Sequence, residues 1–111
     1  MDYTLCNYVV TVYRNRGGKV EQALLTNAFY TMEDGICWHD GSPVRKFLLV
    51  IPGKVSLMPG DRVVLGFGPT EVSWDSFIPA NVQNLVEVGR VRYFRGLDGE
   101  ICHTEAEHPW N

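Results

Sequence analysis

The sequence predicts an all-β fold, a small single-domain barrel-like or sandwich structure of about six or seven strands with at most one short helix. Three observations predict it. Apolar residues alternate or run in short blocks, with no sustained helical spacing. Turn-forming residues interrupt those blocks about every ten positions. The blocks themselves are rich in β-branched and aromatic residues, which suit a pleated surface.

The first block is Tyr8-Val9-Val10-Thr11-Val12-Tyr13-Arg14, read as a strand. Asn15-Arg16-Gly17-Gly18 suits a hairpin loop, since glycine accepts positive φ. The return, Lys19 to Met32, fits one long bent strand or two short ones. Glu33-Asp34-Gly35 reads as a turn, and residues 36–43 (ICWHDGSP) as an exposed excursion. Val44 to Pro52 is the strongest strand, and its near-continuous apolar run predicts a central position with both faces buried.

Pro59-Gly60 suits the two central positions of a type II turn, with Asp61 placed to bond back to a turn amide. Arg62 to Leu65 is then a strand, ended by Gly66-Phe67-Gly68-Pro69. Pro59, Gly60, Asp61, Gly66, Gly68 and Pro69 are thus structural turn residues. Residues 71–80 fit a short helical turn or an extended loop pinned by Trp74, Phe77 and Ile78. Leu85 to Phe94 reads as one strand with a bulge at Gly89. Arg95 to Glu100 is a hairpin loop, Ile101 to Ala106 a last short strand, and the end of the chain a tail.

The 111 residues fit a single β domain over 1–111, with an ordered body from about 4 to 107 and a tail at 108–111. A chain of this size buries roughly two-thirds of its unfolded surface and needs no covalent staple. No apolar run is long enough to span a bilayer as a helix, and MDYTLCNY does not resemble a signal peptide, so a cytoplasmic setting is expected. The formal charge of -3 argues against broad nucleic-acid binding, which needs a field of Lys and Arg. Arg90, Arg92 and Arg95 form the only basic cluster. Three widely spaced cysteines, Cys6, Cys37 and Cys102, do not make a disulfide framework and read as reduced, partly buried thiols.

A phosphate-binding Walker loop needs Lys-Ser/Thr after its last glycine, but Gly68 is followed by Pro69-Thr70-Glu71. A dinucleotide fingerprint needs a third glycine where Glu71 stands. Cys37-His39 with Cys102-His103 has the atoms for zinc but not the spacing, and adjacent strand residues point to opposite faces. A buried Cys102 beside a surface His103 is the plainer reading. A thiol set of Cys102, His103 and Glu105 lacks an electropositive setting. Glu105 and Glu107 read as a solvated acidic end. No catalytic residue, cofactor or metal site is expected. The candidate interaction surface is Trp38, His39, Trp74 and Phe77 on the two long loops, with Arg90 and Arg92.

The succession YVVTVYR, ALLTNAFYTM, FLLVIPG, PGDRVVLGFGP, WDSFIPANV and GEICHTEA resembles small prophage-encoded virion proteins of Gram-positive bacteria, of the head–tail joining or minor capsid type. The similarity runs from about Tyr8 to Glu107, and its most specific parts are Pro59 to Arg62, Gly66 to Pro69 and Ile101 to His103. It implies a compact β-barrel-like domain and a non-enzymatic structural role as a head–tail joining adaptor. It implies as partners other virion proteins (portal, adaptor or tail components), and itself in a ring. It implies the host cytoplasm during assembly and then the virion as location. The alternative from the residues is a small β-barrel nucleic-acid-binding module using Arg90, Arg92 and nearby aromatic residues.

Overall fold

The computed structural model describes residues 6–36, 40, 41 and 43–108. The chain runs β1 (Tyr8–Arg16), β2 (Lys19–Ile36), β3 (Pro43–Pro52), β4 (Arg62–Val64), β5 (Leu85–Glu87), β6 (Arg90–Arg95) and β7 (Ile101–Glu107). All neighbours are antiparallel, in one curled half-barrel sheet of order β5-β4-β1-β2-β3-β7-β6. There is no helix among the described residues. The all-β expectation holds.

The long return after the first hairpin is a single strand of 18 residues. Its first part pairs with β1 and its second with β3. Between the pairs Tyr8–Ala28 and Val10–Leu25, β2 carries two residues, Thr26 and Asn27, against the single Val9. That bulge shifts the alternation by one residue. Leu25 before it, and Ala28, Tyr30 and Met32 after it, therefore all reach the same core. Glu33-Asp34-Gly35 is not a turn: the ladder continues through it to the pair Ile36–Pro43 and sets Glu33 opposite Lys46. The excursion read at 36–43 is correspondingly shorter, since both its end residues lie in strands.

β3 lies inside the sheet, between β2 and β7. Phe47, Leu49 and Ile51 fill the barrel interior with Val10, Val12, Val63, Val86 and Ala106. Val50 on the opposite face is also buried, as the apolar run implied. Each of these Phe, Leu, Ile and Val side chains contributes about 1.5–3 kcal/mol when taken from water.

Leu85 to Phe94 is two strands, not one bulged strand. β5 pairs with β4 at one end of the sheet, and β6 pairs with β7 at the other. Val88 exchanges two hydrogen bonds with the turn before β4 (Gly60 N to Val88 O, Val88 N to Asp61 O, both 2.8 Å), while Gly89 N donates to Glu107 O at 2.9 Å. The chain thus changes partner within two residues, and the two ends of the sheet meet there. The inward positions slip by one residue at Gly89, from Val86 and Val88 to Val91 and Tyr93, and a bulge produces the same slip, which is why the sequence reads as one bulged strand.

Met58-Pro59-Gly60-Asp61 is the expected turn: Gly60 has φ +94, and Asp61 N donates to Met58 O at 3.1 Å. Asp61 Oδ2 accepts Met58 N at 2.9 Å, and Arg14 grips both carboxylate oxygens at 2.8 and 2.9 Å. Asp61 is buried, so this bidentate pair, with its extra amide, is the setting in which a buried carboxylate is satisfied. The Asp61 hydrogen bond, its largest influence, raises the Arg14 pKa.

A second core lies on the outer face of the β1–β4–β5 half, where Tyr13, Val64, Phe77 and Leu85 are buried together. Residues 66–84 cross this face as a strap. Tyr13 Oη donates to Pro69 O at 2.6 Å, and Gln22 Nε2 donates to Thr70 O at 2.8 Å. Arg62 donates to the Trp74 and Phe77 carbonyls, with its guanidinium carbon 3.9 Å from the centre of the Trp74 ring. The strap holds turns rather than a helix; Phe77 N to Trp74 O and Val82 N to Ile78 O are isolated turn bonds. Burial raises the pKa of Tyr13.

Candidate interaction surface

The strap carries two of the sequence-selected residues, and neither is free. Phe77 is a core side chain, packed edge-on against Tyr13 with ring centroids 4.7 Å apart. Its reading as a pin for the loop holds, and its reading as a surface contact does not. Trp74 is half-buried beneath the Arg62 guanidinium. Trp38 and His39, with Cys37, lie outside the described residues.

Arg90 and Arg92 do share a face, on β6, but they face carboxylates. Arg90 Nε donates to Glu107 Oε1 at 2.5 Å. Arg92 stands between two acids, 3.6 Å from Glu105 and 3.7 Å from Glu107. The register explains this: Arg90 is opposite Glu107 and Arg92 opposite Glu105. Glu105 and Glu107 are thus partly buried ion-pair partners rather than a solvated acidic end. With Thr31 and Leu48 these four side chains line a cleft of about 550 Å³.

The neighbouring Cys102 and His103 are the reverse of the expectation. Cys102 is exposed and His103 buried. His103 faces the outer side of the sheet, where its ring stacks on Phe94 at 4.7 Å and its Nε2 lies 2.9 Å from Glu105 Oε2. The sequence rule that adjacent strand residues part to opposite faces holds; what it could not tell was which face would be covered. Among the described residues no cluster of His, Cys, Asp or Glu is arranged to hold a metal.

Several exposed apolar residues escape the sequence, among them Leu97, Leu24, Met58 and Phe67. Phe67, the middle of Gly66-Phe67-Gly68-Pro69, is 77% exposed. Its backbone is held from both sides by one hydroxyl: Thr11 Oγ1 donates to Gly66 O at 2.9 Å and accepts Gly68 N at 3.0 Å. Gly66 has φ +129, a conformation that other residues rarely adopt. Gly68 has no room for a side chain, since a Cβ there would stand 2.1 Å from Tyr13 Oη. Leu24, 51% exposed, is the residue opposite Thr11 in the β1–β2 ladder, so Phe67 and Leu24 flank the same threonine. The available signal was a large apolar residue fixed between two glycines, where a solvent loop would ordinarily carry a polar one.

Comparison with protein-family models, with curated proteins and with solved structures finds no match to this chain.

Proposed function

We propose that this protein is a non-enzymatic structural adaptor that works through protein–protein contacts, at the head–tail joint of a tailed-phage particle or as a prophage relic of one. The observation that carries the protein-contact reading is Phe67. An aromatic side chain left in water on a mobile loop contributes little to binding, because ordering it costs conformational entropy. Here the backbone that carries the ring is already held, by the two Thr11 hydrogen bonds and by the close packing of Gly68 on Tyr13. Burial of such a ring in a partner's pocket supplies about 2 kcal/mol or more, the range of an interface anchor. The virion setting rests on the sequence resemblance between Tyr8 and Glu107.

The nucleic-acid alternative is less well supported, because Arg90 and Arg92 are locally offset by Glu107 and Glu105. Phe94 offers little free ring for base stacking, with His103 stacked on it.

The test is deletion of the gene from an inducible phage that carries it, with complementation by wild type and by Phe67→Ala. Separate heads and tails should accumulate on deletion. Wild type should restore joined particles, and Phe67→Ala should restore them poorly while folding normally by circular dichroism. Normal particles without the gene would eliminate the adaptor role.

A further inference from the structure

We propose that the free edge of β6 is a docking site for an extended, acidic segment of a partner protein, which adds to the sheet as a further strand with Asp or Glu at alternate positions and apolar residues between them. The proposal deepens the protein-contact reading above and rests on it.

β6 ends the sheet order. Among the described residues, the backbone of Arg90–Arg95 pairs with β7 on one side and makes no backbone hydrogen bond on the other. An unpaired edge of six residues is a template for another strand. Five of the six residues are exposed, so nothing in the described chain covers it.

The side chains define what fits. Arg90, Arg92 and Phe94 lie on the outer face with Glu107, Glu105 and His103, their ladder partners. Val91 and Tyr93 lie on the inner face, opposite Ala106 and Thr104. A strand added beside β6 continues this alternation. Its outer residues meet Arg90 and Arg92 from the side away from β7. Its inner residues extend the apolar row that ends in Val91 and the 40% exposed Tyr93.

Charge sets the sign of the outer positions. β6 carries three arginines, Arg90, Arg92 and Arg95, and no acid. Arg92 lies 3.6 and 3.7 Å from two carboxylates, longer than a direct hydrogen bond, and 5.5 Å from the centre of the Phe94 ring, and its side chain is 49% exposed. It can therefore take a closer carboxylate from a new neighbour. A second copy of β6 is a poor occupant, because self-pairing sets the arginines of two copies on one short ladder. A polynucleotide is disfavoured because the open edge presents main-chain N–H and C=O groups in alternation, and a phosphate backbone supplies acceptors but no donors to match them.

The experiment titrates the purified full chain with a fluorescein-labelled peptide of alternating Glu and Val and follows anisotropy. Three comparison probes are the Lys-Val analogue, the Glu-Val peptide N-methylated at alternate amides in each of the two phases, and a single-stranded oligonucleotide. The Glu-Val peptide should bind, and at least one N-methylated phase should lose about tenfold or more in affinity. Arg90→Gln and Arg92→Gln should each weaken it several-fold, with the fold checked by circular dichroism. Amide hydrogen exchange should slow on binding within residues 91–95. No binding at millimolar peptide, equal binding of the Lys-Val analogue, or full binding by both N-methylated phases would overturn the proposal without relying on any variant. So would tighter binding of the oligonucleotide, or a concentration-dependent dimer that protects β6 on its own. Peptide binding that survives alongside normal particles in the deletion strain would remove the neck role and leave the strand addition standing. Loss of particles without peptide binding would do the opposite.

Discussion

Replacing Gly68 with Ala tests the packing that presents Phe67. The added methyl would lie 2.1 Å from Tyr13 Oη and 3.0 and 3.1 Å from the ring atoms Cζ and Cε1. Something has to move. Tyr13 is fully buried with Phe77 against its ring, so the ring has no free space to enter. The loop can lift instead, but it then loses the Tyr13 bond to Pro69 O and the Gly68 bond to Thr11 Oγ1. Overpacking of a filled site costs about 1–3 kcal/mol, and a buried hydrogen bond about 1 kcal/mol. The expected loss is about 2–4 kcal/mol, a large share of the ~5–15 kcal/mol that holds a domain folded. With a urea dependence of about 2 kcal/mol per molar, the middle of the range for small domains, the midpoint should fall by roughly 1–2 M. Tyr13→Phe supplies the internal check. It removes the atom at 2.1 Å and leaves contacts that a small shift relieves, while costing about 1 kcal/mol for its own lost bond. The double variant should therefore lose at least ~1 kcal/mol less than the two single losses added together. An unchanged midpoint for Gly68→Ala, or strict additivity in the cycle, would refute the steric account.

Gly60→Val should cost about 1–3 kcal/mol by urea unfolding; nothing lies within 4 Å of a Cβ there, so the loss comes from the φ of +94 alone, and an unchanged midpoint would contradict it. Tyr13 has its pKa raised by burial, so its neutral form favours the folded state, and this contribution is complete below the unfolded value of about 10. It is lost as pH rises from there through the folded pKa; urea midpoints taken across alkaline pH should fall more steeply for the wild type than for Tyr13→Phe, and parallel curves would remove Tyr13 as the cause. Purified protein should carry no stoichiometric zinc and should fold unchanged in a chelator; about one metal per chain by elemental analysis, lost together with the fold, would restore Cys37, His39, Cys102 and His103 as ligands.

By itself the sequence determined what is local. Hairpin turns at Gly17-Gly18 and Asp98-Gly99, the Pro59-Gly60 turn with Asp61 bonded back into it, and the apolar strand 44–52 follow from residue chemistry within a few positions. The all-β class follows from their rhythm. Pairing partners decided the rest. Glu33-Asp34-Gly35 has turn composition, yet a ladder with β3 holds it extended, because eight paired residues outweigh the preference of three. Leu85 to Phe94 alternates with a single slip at Gly89 that fits a bulge, but two different neighbours divide it at Val88-Gly89. Phe77 and Trp74 fit either a pin or a contact surface by sequence, and they are cover for a second core because Tyr13, Val64 and Leu85 make the outer face of that half apolar. In the same way Glu105, Glu107 and His103 look like a polar end until register sets Arg92, Arg90 and Phe94 opposite them. Exposure of Phe67 depends on Thr11, 56 residues earlier in the chain, and no local pattern carries a contact of that separation. Burial and charge pairing belong to the neighbours that topology supplies, while turn and strand preference belong to the residue itself.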